Sequence, residues 1–203
     1  MLLCRILICQ RYSASIPFSA SSRPSLIMCI PYRNRASPPK RDNMLSVVIN
    51  KFLSKYEGRY TYESLKKDDA EEILAFQKKW FDDASSKDGK ETLDYETSAI
   101  AELFENFDKF NLRGGILRVD GDIAAYCIAS KINDTALDIM VEKASGEYIG
   151  AYQMINKLFA ENGCRDIEYI NREEDMGIEG LRRAKLSYCP ELLIKKYGAI
   201  WKR

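Results

Sequence analysis

Apolar residues in the stretch 44–56 recur at helical spacing. Leu45, Val48, Ile49, Phe52, Leu53 and Tyr56 share one face, which predicts an amphipathic helix. Arg59–Glu63 alternates aromatic and polar residues and reads as a short strand. A second helix is expected from about Asp68, with Asp68 and Glu71 spaced like a capping box. Its apolar face is Ala70, Ile73, Leu74, Trp80 and Phe81. The polar stretch Ser85–Lys90, with Gly89, predicts a loop. A third helix follows, with Ala99, Ile100, Leu103, Phe104 and Phe107 on its core side.

The period then changes from helical to strand-like. Gly114–Val119, the dipeptide Asp120-Gly121 and Asp122–Ser130 predict a β-hairpin. Ile123–Ala129 is almost wholly apolar, so both faces of that strand should be covered. Asn133-Asp134 marks the next turn, and Leu137, Ile139 and Val141 alternate along a third strand. Ala144–Gly150 is a loop feeding a helix whose core face is Ala151, Met154, Ile155, Leu158 and Phe159. Gly163 ends that helix, and Ile167–Ile170 is a strand. Gly177–Ser187 is the last helix, stopped before Pro190. Leu192–Trp201 is an extended closing segment.

After the first helix the order is β-α-α-β-β-β-α-β-α-β. It predicts an α/β fold with a mixed sheet: an antiparallel meander, then a crossover helix to a parallel strand. That order resembles the GNAT acyltransferase superfamily.

Charge divides the chain in two. Its 203 residues carry 31 Lys and Arg against 30 Asp and Glu, yet residues 1–41 hold seven of the basic residues and no acid. The remainder has 24 basic residues against 30 acidic ones, a net charge of −6. An acidic body argues against coating DNA, which needs clustered Lys and Arg. The chain has no histidine, so Ser-His and Cys-His catalysis and imidazole-bound zinc are excluded. No metal site is expected. Residues 1–43 are read as a disordered tail or a start placed too far upstream, with a single domain over 44–203. Their Arg-rich, Ser-rich composition also fits a transit peptide. Cys4, Cys9 and Cys29 lie in this tail. Cys127, Cys164 and Cys189 form no CxxC motif or disulfide framework, which fits a reducing compartment.

The stretch Tyr169-Ile170-Asn171-Arg172-Glu173-Glu174-Asp175-Met176-Gly177 leaves an apolar strand through five polar residues and enters a helix. Two readings fit it: a functional loop, or a solvated turn with acids at a helix N-terminus. Leu181-Arg182-Arg183-Ala184-Lys185-Leu186-Ser187-Tyr188-Cys189-Pro190 continues the unit. Together with Leu112–Gly121, Glu142-Lys143 and Tyr148–Asn156, it resembles the phosphatidylglycerol lysyltransferase C-terminal family over roughly Leu45–Trp201.

The resemblance implies a GNAT-like fold and a transferase that moves an aminoacyl or acyl group to an amine or hydroxyl. The implied donor is aminoacyl-tRNA or acyl-CoA, with no certain cofactor. The implied partners are tRNA and membrane lipid head groups, and the location is cytoplasmic, peripheral to the membrane. Full members of the family carry two such domains in tandem and many members are bacterial, so the resemblance implies an upstream GNAT-like domain as a further partner. In such a tandem the apolar face of helix 44–56 would be free to pack against that domain. An ordinary acetyl-CoA-dependent N-acetyltransferase and a non-catalytic interaction module are the alternatives.

Acyl transfer needs a base to take the nucleophile's proton. Without histidine the candidates are Glu173 and Asp175, with Tyr188 protonating the leaving oxygen. Arg118, Arg172 and Lys185 are candidates to bind phosphate or steady an oxyanion, with Asn171 and Ser187 as further substrate contacts. Gly146, Tyr148 and Gly150 form the candidate donor loop at a helix N-terminus. Its Gly146-Glu147-Tyr148-Ile149-Gly150 sequence is degenerate, and Glu147 is unfavourable to pyrophosphate. Each residue also has a plain structural reading. Arg172 could be an internal partner of Glu173 or Asp175, Tyr188 a packed aromatic, and Arg113-Gly114-Gly115 a site of close backbone approach.

Overall fold

A single mixed sheet organises the protein. The computed structural model describes residues 25–31, 44–84 and 90–196. In chain order these form β1 (Ser25–Pro31), α1 (Met44–Tyr56), β2 (Tyr60–Ser64), α2 (Ala70–Ala84), α3 (Lys90–Glu105), β3 (Arg113–Val119), β4 (Asp122–Lys131), β5 (Ala136–Ala144), α4 (Ala151–Gly163), β6 (Tyr169–Glu174), α5 (Glu179–Leu186) and β7 (Leu192–Lys196). The sheet order is β2-β3-β4-β5-β6-β1-β7. Every pairing is antiparallel except β5 with β6, which the α4 crossover makes parallel. This is the predicted α/β fold of GNAT type.

The meander forms where the turn chemistry dictates. Asp120 and Gly121 both take positive φ (53° and 95°), as the tight β3–β4 hairpin requires. Asn133 Oδ1 accepts from the N–H groups of Thr135 and Ala136, closing the β4–β5 turn. β4 is buried from Ile123 to Ala129, with apolar clusters on both faces. On one face Phe52 and Tyr56 of α1 and Met154, Ile155 and Phe159 of α4 pack on Leu117, Ala125 and Cys127. On the other, Ile73 of α2 and Ile100 and Phe104 of α3 cover Ile116, Tyr126 and Ile128.

Gly114 and Gly115 are sites of close approach. A Cβ on Gly114 would lie 2.2 Å from the Cys127 carbonyl oxygen, and one on Gly115 would lie 2.4 Å from the Tyr62 ring.

Four local expectations change. The second helix is entered through a 3₁₀ turn, Lys67–Asp69, and the Lys66 N–H donates to Asp69 Oδ2 at 2.6 Å. Asp69 therefore does the capping that the sequence assigned to Asp68 and Glu71. The apolar face of α1 is covered by α4 and the sheet, and among its described side chains Val47 is the one large apolar residue that is exposed. Asn171–Glu174, expected as loop, continues strand β6, because β1 pairs with it from Tyr169 to Glu174. Finally, Ser25–Pro31 lies in the sheet between β6 and β7, so the ordered fold takes in residues upstream of Met44. An apolar run there satisfies its backbone on two neighbours at once. The expected loop 85–89 and the segment beyond Lys196 lie outside the described residues.

Candidate functional site

The parallel strands β5 and β6 part company. They pair only through Ala136↔Tyr169, Leu137↔Ile170 and Asp138↔Asn171, although β5 runs on to Ala144 and β6 to Glu174. Asn171 marks the last shared rung. It is buried, its Nδ2 donates to Asp138 Oδ1 at 2.7 Å, and its Oδ1 accepts the Glu173 N–H at 3.0 Å. Beyond this rung both strands deviate from regular pairing. In β5 an extra residue, Met140, sits between the pairs Ala129↔Ile139 and Ile128↔Val141. In β6 the register against β1 shifts between Asn171 and Glu174, where Glu173 takes φ 58°. A positive φ at a glutamate is uncommon and marks a constrained position.

The β5 bulge turns Glu142 towards α4. There its carboxylate accepts from Asn156 Nδ2, and Arg172 Nη2 donates to its Oε1 at 3.0 Å. Both partners are nearly buried, with side-chain exposures of 9% for Arg172 and 11% for Glu142. Burial works against the Arg172 charge, but Glu142, Tyr188 and Cys127 together more than offset it, and the guanidinium pKa is raised. The Tyr188 ring covers the guanidinium at 4.7 Å. The partner of Arg172 is thus Glu142, rather than Glu173 or Asp175.

Lys185 closes the unit from α5. It is buried and donates to the carbonyls of Arg172 and Glu174, the latter at 2.7 Å. Burial, and then the nearby Arg172, lower its pKa. Asp175 is fully buried. It pairs with Arg182 and accepts the Gly177 N–H at 3.0 Å, which fixes the β6–α5 turn. Ser187 Oγ donates to the Ala184 carbonyl at the end of α5. Asn171, Arg172, Glu173, Asp175, Lys185, Ser187 and Tyr188 therefore share one β6–α5 unit.

Arg118 does not. It lies on β3, with β4 and β5 between it and β6, and its guanidinium is held by Glu63 and by both oxygens of Glu72. The donor loop forms a second locus. Gly150 takes φ 89°, and a Cβ there would lie 2.9 Å from the Val48 carbonyl oxygen, so it serves the packing of α1 on α4. Gly146 has open space around it. Tyr148 meets the Tyr56 ring edge-on, at 5.8 Å. Beside this loop runs a groove of about 310 Å³, lined among others by Glu72, Phe76, Lys79, Asp122, Glu147 and Tyr148.

The sequence reading missed Glu142, Asn156 and Asp138 as site residues. Two signals were present: an acid within an apolar strand, and an amide beside the apolar stripe of α4. The β5 bulge that turns Glu142 inward leaves no mark in the residue pattern.

Sheet order, crossover and separating strands define an α/β domain of GNAT-like fold. Comparison with known proteins narrows the class. The family model described as "Phosphatidylglycerol lysyltransferase, C-terminal" matches residues 47–200, and the chain belongs to that family. It is similar to a conserved protein of unknown function from Bacteroides thetaiotaomicron, at 35% identity and TM-score 0.77, over 87% of this chain and 59% of that one. It shares its fold with the C-terminal domain of a protein assigned as lysylphosphatidylglycerol synthetase from Agrobacterium fabrum. That likeness has 14% identity and TM-score 0.55, over 85% of this chain and 58% of the other. A curated, uncharacterized protein of Mycoplasmoides gallisepticum is 24% identical over 149 residues, which is 73% of this chain and 47% of that protein. The chain thus spans roughly half to three fifths of the length of these relatives. Among the described residues, no helix is long and apolar enough to cross a membrane.

Proposed function

We propose that this domain transfers an aminoacyl group from an aminoacyl ester, such as charged tRNA, to an amine or hydroxyl acceptor such as a lipid head group. The observation that carries the reading is the separation of β5 and β6 beyond Asp138 and Asn171, with Glu142, Arg172, Lys185 and Tyr188 gathered there. In open α/β sheets, ligands bind where strands diverge at their carboxyl ends.

The acceptor's nitrogen or oxygen attacks the ester carbonyl carbon. A new C–N or C–O bond forms, the ester C–O bond breaks, and the leaving oxygen departs as a hydroxyl. Glu173, held at the β6 bulge, is assigned to take the acceptor's proton. Tyr188 is assigned to protonate the leaving oxygen. Lys185, with one N–H donor not spent on a carbonyl, is assigned to oppose charge that develops on the carbonyl oxygen. Asp175 is a positioning residue, since Arg182 and the Gly177 N–H occupy its carboxylate.

An acyl-CoA donor is the second arm. The groove beside the donor loop carries Glu72, Asp122 and Glu147, an unfavourable setting for a pyrophosphate. The test is to incubate the full chain with charged tRNA and phosphatidylglycerol vesicles, and separately with acetyl-CoA and amine acceptors. Aminoacyl-lipid should form in the first mixture. Acetylated product in the second would shift the reading to an N-acetyltransferase. If neither donor is bound or consumed, the transferase reading fails and the interaction module takes its place.

A further inference from the structure

Among the described residues, two buried polar side-chain atoms have no hydrogen-bond partner: the Tyr62 hydroxyl and Arg172 Nη1. The first is a neutral group packed against Gly115, and burial raises its pKa. The second belongs to a full cation. An unmet donor on a buried charge is more costly than one on a neutral group, so it calls for an explanation.

The surroundings of Arg172 do not let it satisfy Nη1 by a small turn. Its Nη2 is fixed on Glu142 Oε1, and the other Glu142 oxygen is taken by Asn156. Tyr188 lies on the guanidinium face, and Lys185 anchors the Arg172 carbonyl. The guanidinium is thus held at Nη2 and covered on one face, while Nη1 is left without a partner. Lys185 spends two of its three N–H donors on carbonyls, which leaves a third in the same unit. The residues around Tyr188 and the start of α5 are bent through left-handed conformations at Glu173, Met176, Gly177 and Cys189.

We propose that Arg172 Nη1 anchors an oxyanion subsite at the β5–β6 separation, which takes one carboxylate or phosphate group of the bound substrate. The arriving oxygen completes the hydrogen bonding that Glu142 and Asn156 leave open. The inference rests on the transferase reading only in calling the ligand a substrate.

The test needs no donor. The full chain is titrated with inorganic phosphate, and separately with acetate, at fixed ionic strength in chloride. Heat of binding is measured, and the guanidinium N–H resonances are followed by nitrogen-15 NMR. Saturable binding of one anion, with the shift centred on Arg172, is expected. Phosphate alone would point to a phosphodiester substrate, and acetate alone to a carboxylate. Arg172→Lys keeps the charge but loses the planar fork, and should weaken binding by about tenfold or more. Binding of neither anion to the wild type, or equal binding by Arg172→Lys, overturns the proposal. Should that variant fail to fold, the wild-type spectrum decides: an unmoved Arg172 signal overturns it. Because turnover is not read, failure of this subsite and failure of the transferase reading are separate results.

Discussion

Glu142 and Arg172 join two strands that no longer pair. Their 3.0 Å bond spans the separation of β5 and β6 four residues beyond Asp138 on one side and one beyond Asn171 on the other. A buried ion pair of this kind gives little net stability, but removing one partner strands the other charge.

Glu142→Ala should therefore destabilise the protein by about 3–5 kcal/mol in chemical denaturation. It leaves Arg172 and the Asn156 amide without their acceptor. The double variant Glu142→Leu/Arg172→Met should be markedly less damaging than the two single costs added. Strict additivity would mean that the pair does not interact in solution.

The glycines separate a structural loop from a tolerant one. Gly114→Ala forces a Cβ against the Cys127 carbonyl oxygen and should cost about 1–3 kcal/mol. Gly150→Ala meets both a positive φ and the Val48 carbonyl, and should cost at least about 1 kcal/mol. Gly146→Ala meets nothing within 4 Å and should stay within about 0.5 kcal/mol. If Gly146→Ala were as damaging as Gly150→Ala, the described loop geometry would be wrong.

Much of the fold was legible because the period of the side chains changes where the elements change. The hairpin at Asp120-Gly121, the doubly covered β4 and the apolar stripe of α4 follow from local spacing. The motif around Arg172 located the β6–α5 unit, since a run of charges leaving an apolar strand needs partners. What stayed hidden depends on contacts distant in sequence. The β5 bulge at Met140 decides that Glu142 faces Arg172, and no local pattern fixes a bulge. The strand status of Asn171–Glu174 depends on β1, more than 140 residues earlier in the chain. Arg118 looked like a free cation in sequence, yet Glu63 on the paired strand and Glu72 on α2 hold it.

Acid sensitivity should show a contribution from Asp166. Arg113, and then Lys131, hold its carboxyl well below the ordinary 3.8. A depressed folded pKa stabilises the protein above the unfolded value and loses that effect as pH falls towards the folded one. Asp166 is half exposed, so the effect is modest. Asp166→Asn should cost under about 1 kcal/mol at neutral pH, and its deficit against wild type should shrink below about pH 4. Thermal melts of both proteins from pH 7 down to pH 3 check this. A deficit independent of pH would assign the loss to packing.

Lys185 has the opposite sign. Its folded pKa lies below the ordinary 10.5, chiefly because of burial. Below the folded pKa the ammonium is present in both states, and its burial penalty acts in full. As pH rises from the folded value towards 10.5, the native state sheds its proton first and stability climbs. Lys185→Met removes that titration and leaves the carbonyls of Arg172 and Glu174 without this donor. The variant should be less stable by about 1–3 kcal/mol at pH 7. The gap should widen as pH approaches 10, because only the wild type gains. Tyrosines that titrate in this range are common to both proteins and cancel in the difference. Urea denaturation at pH 7, 8.5 and 10 measures it. A gap that narrows with pH would mean that Lys185 is held in its charged form by its neighbours, and would reverse the role given to burial.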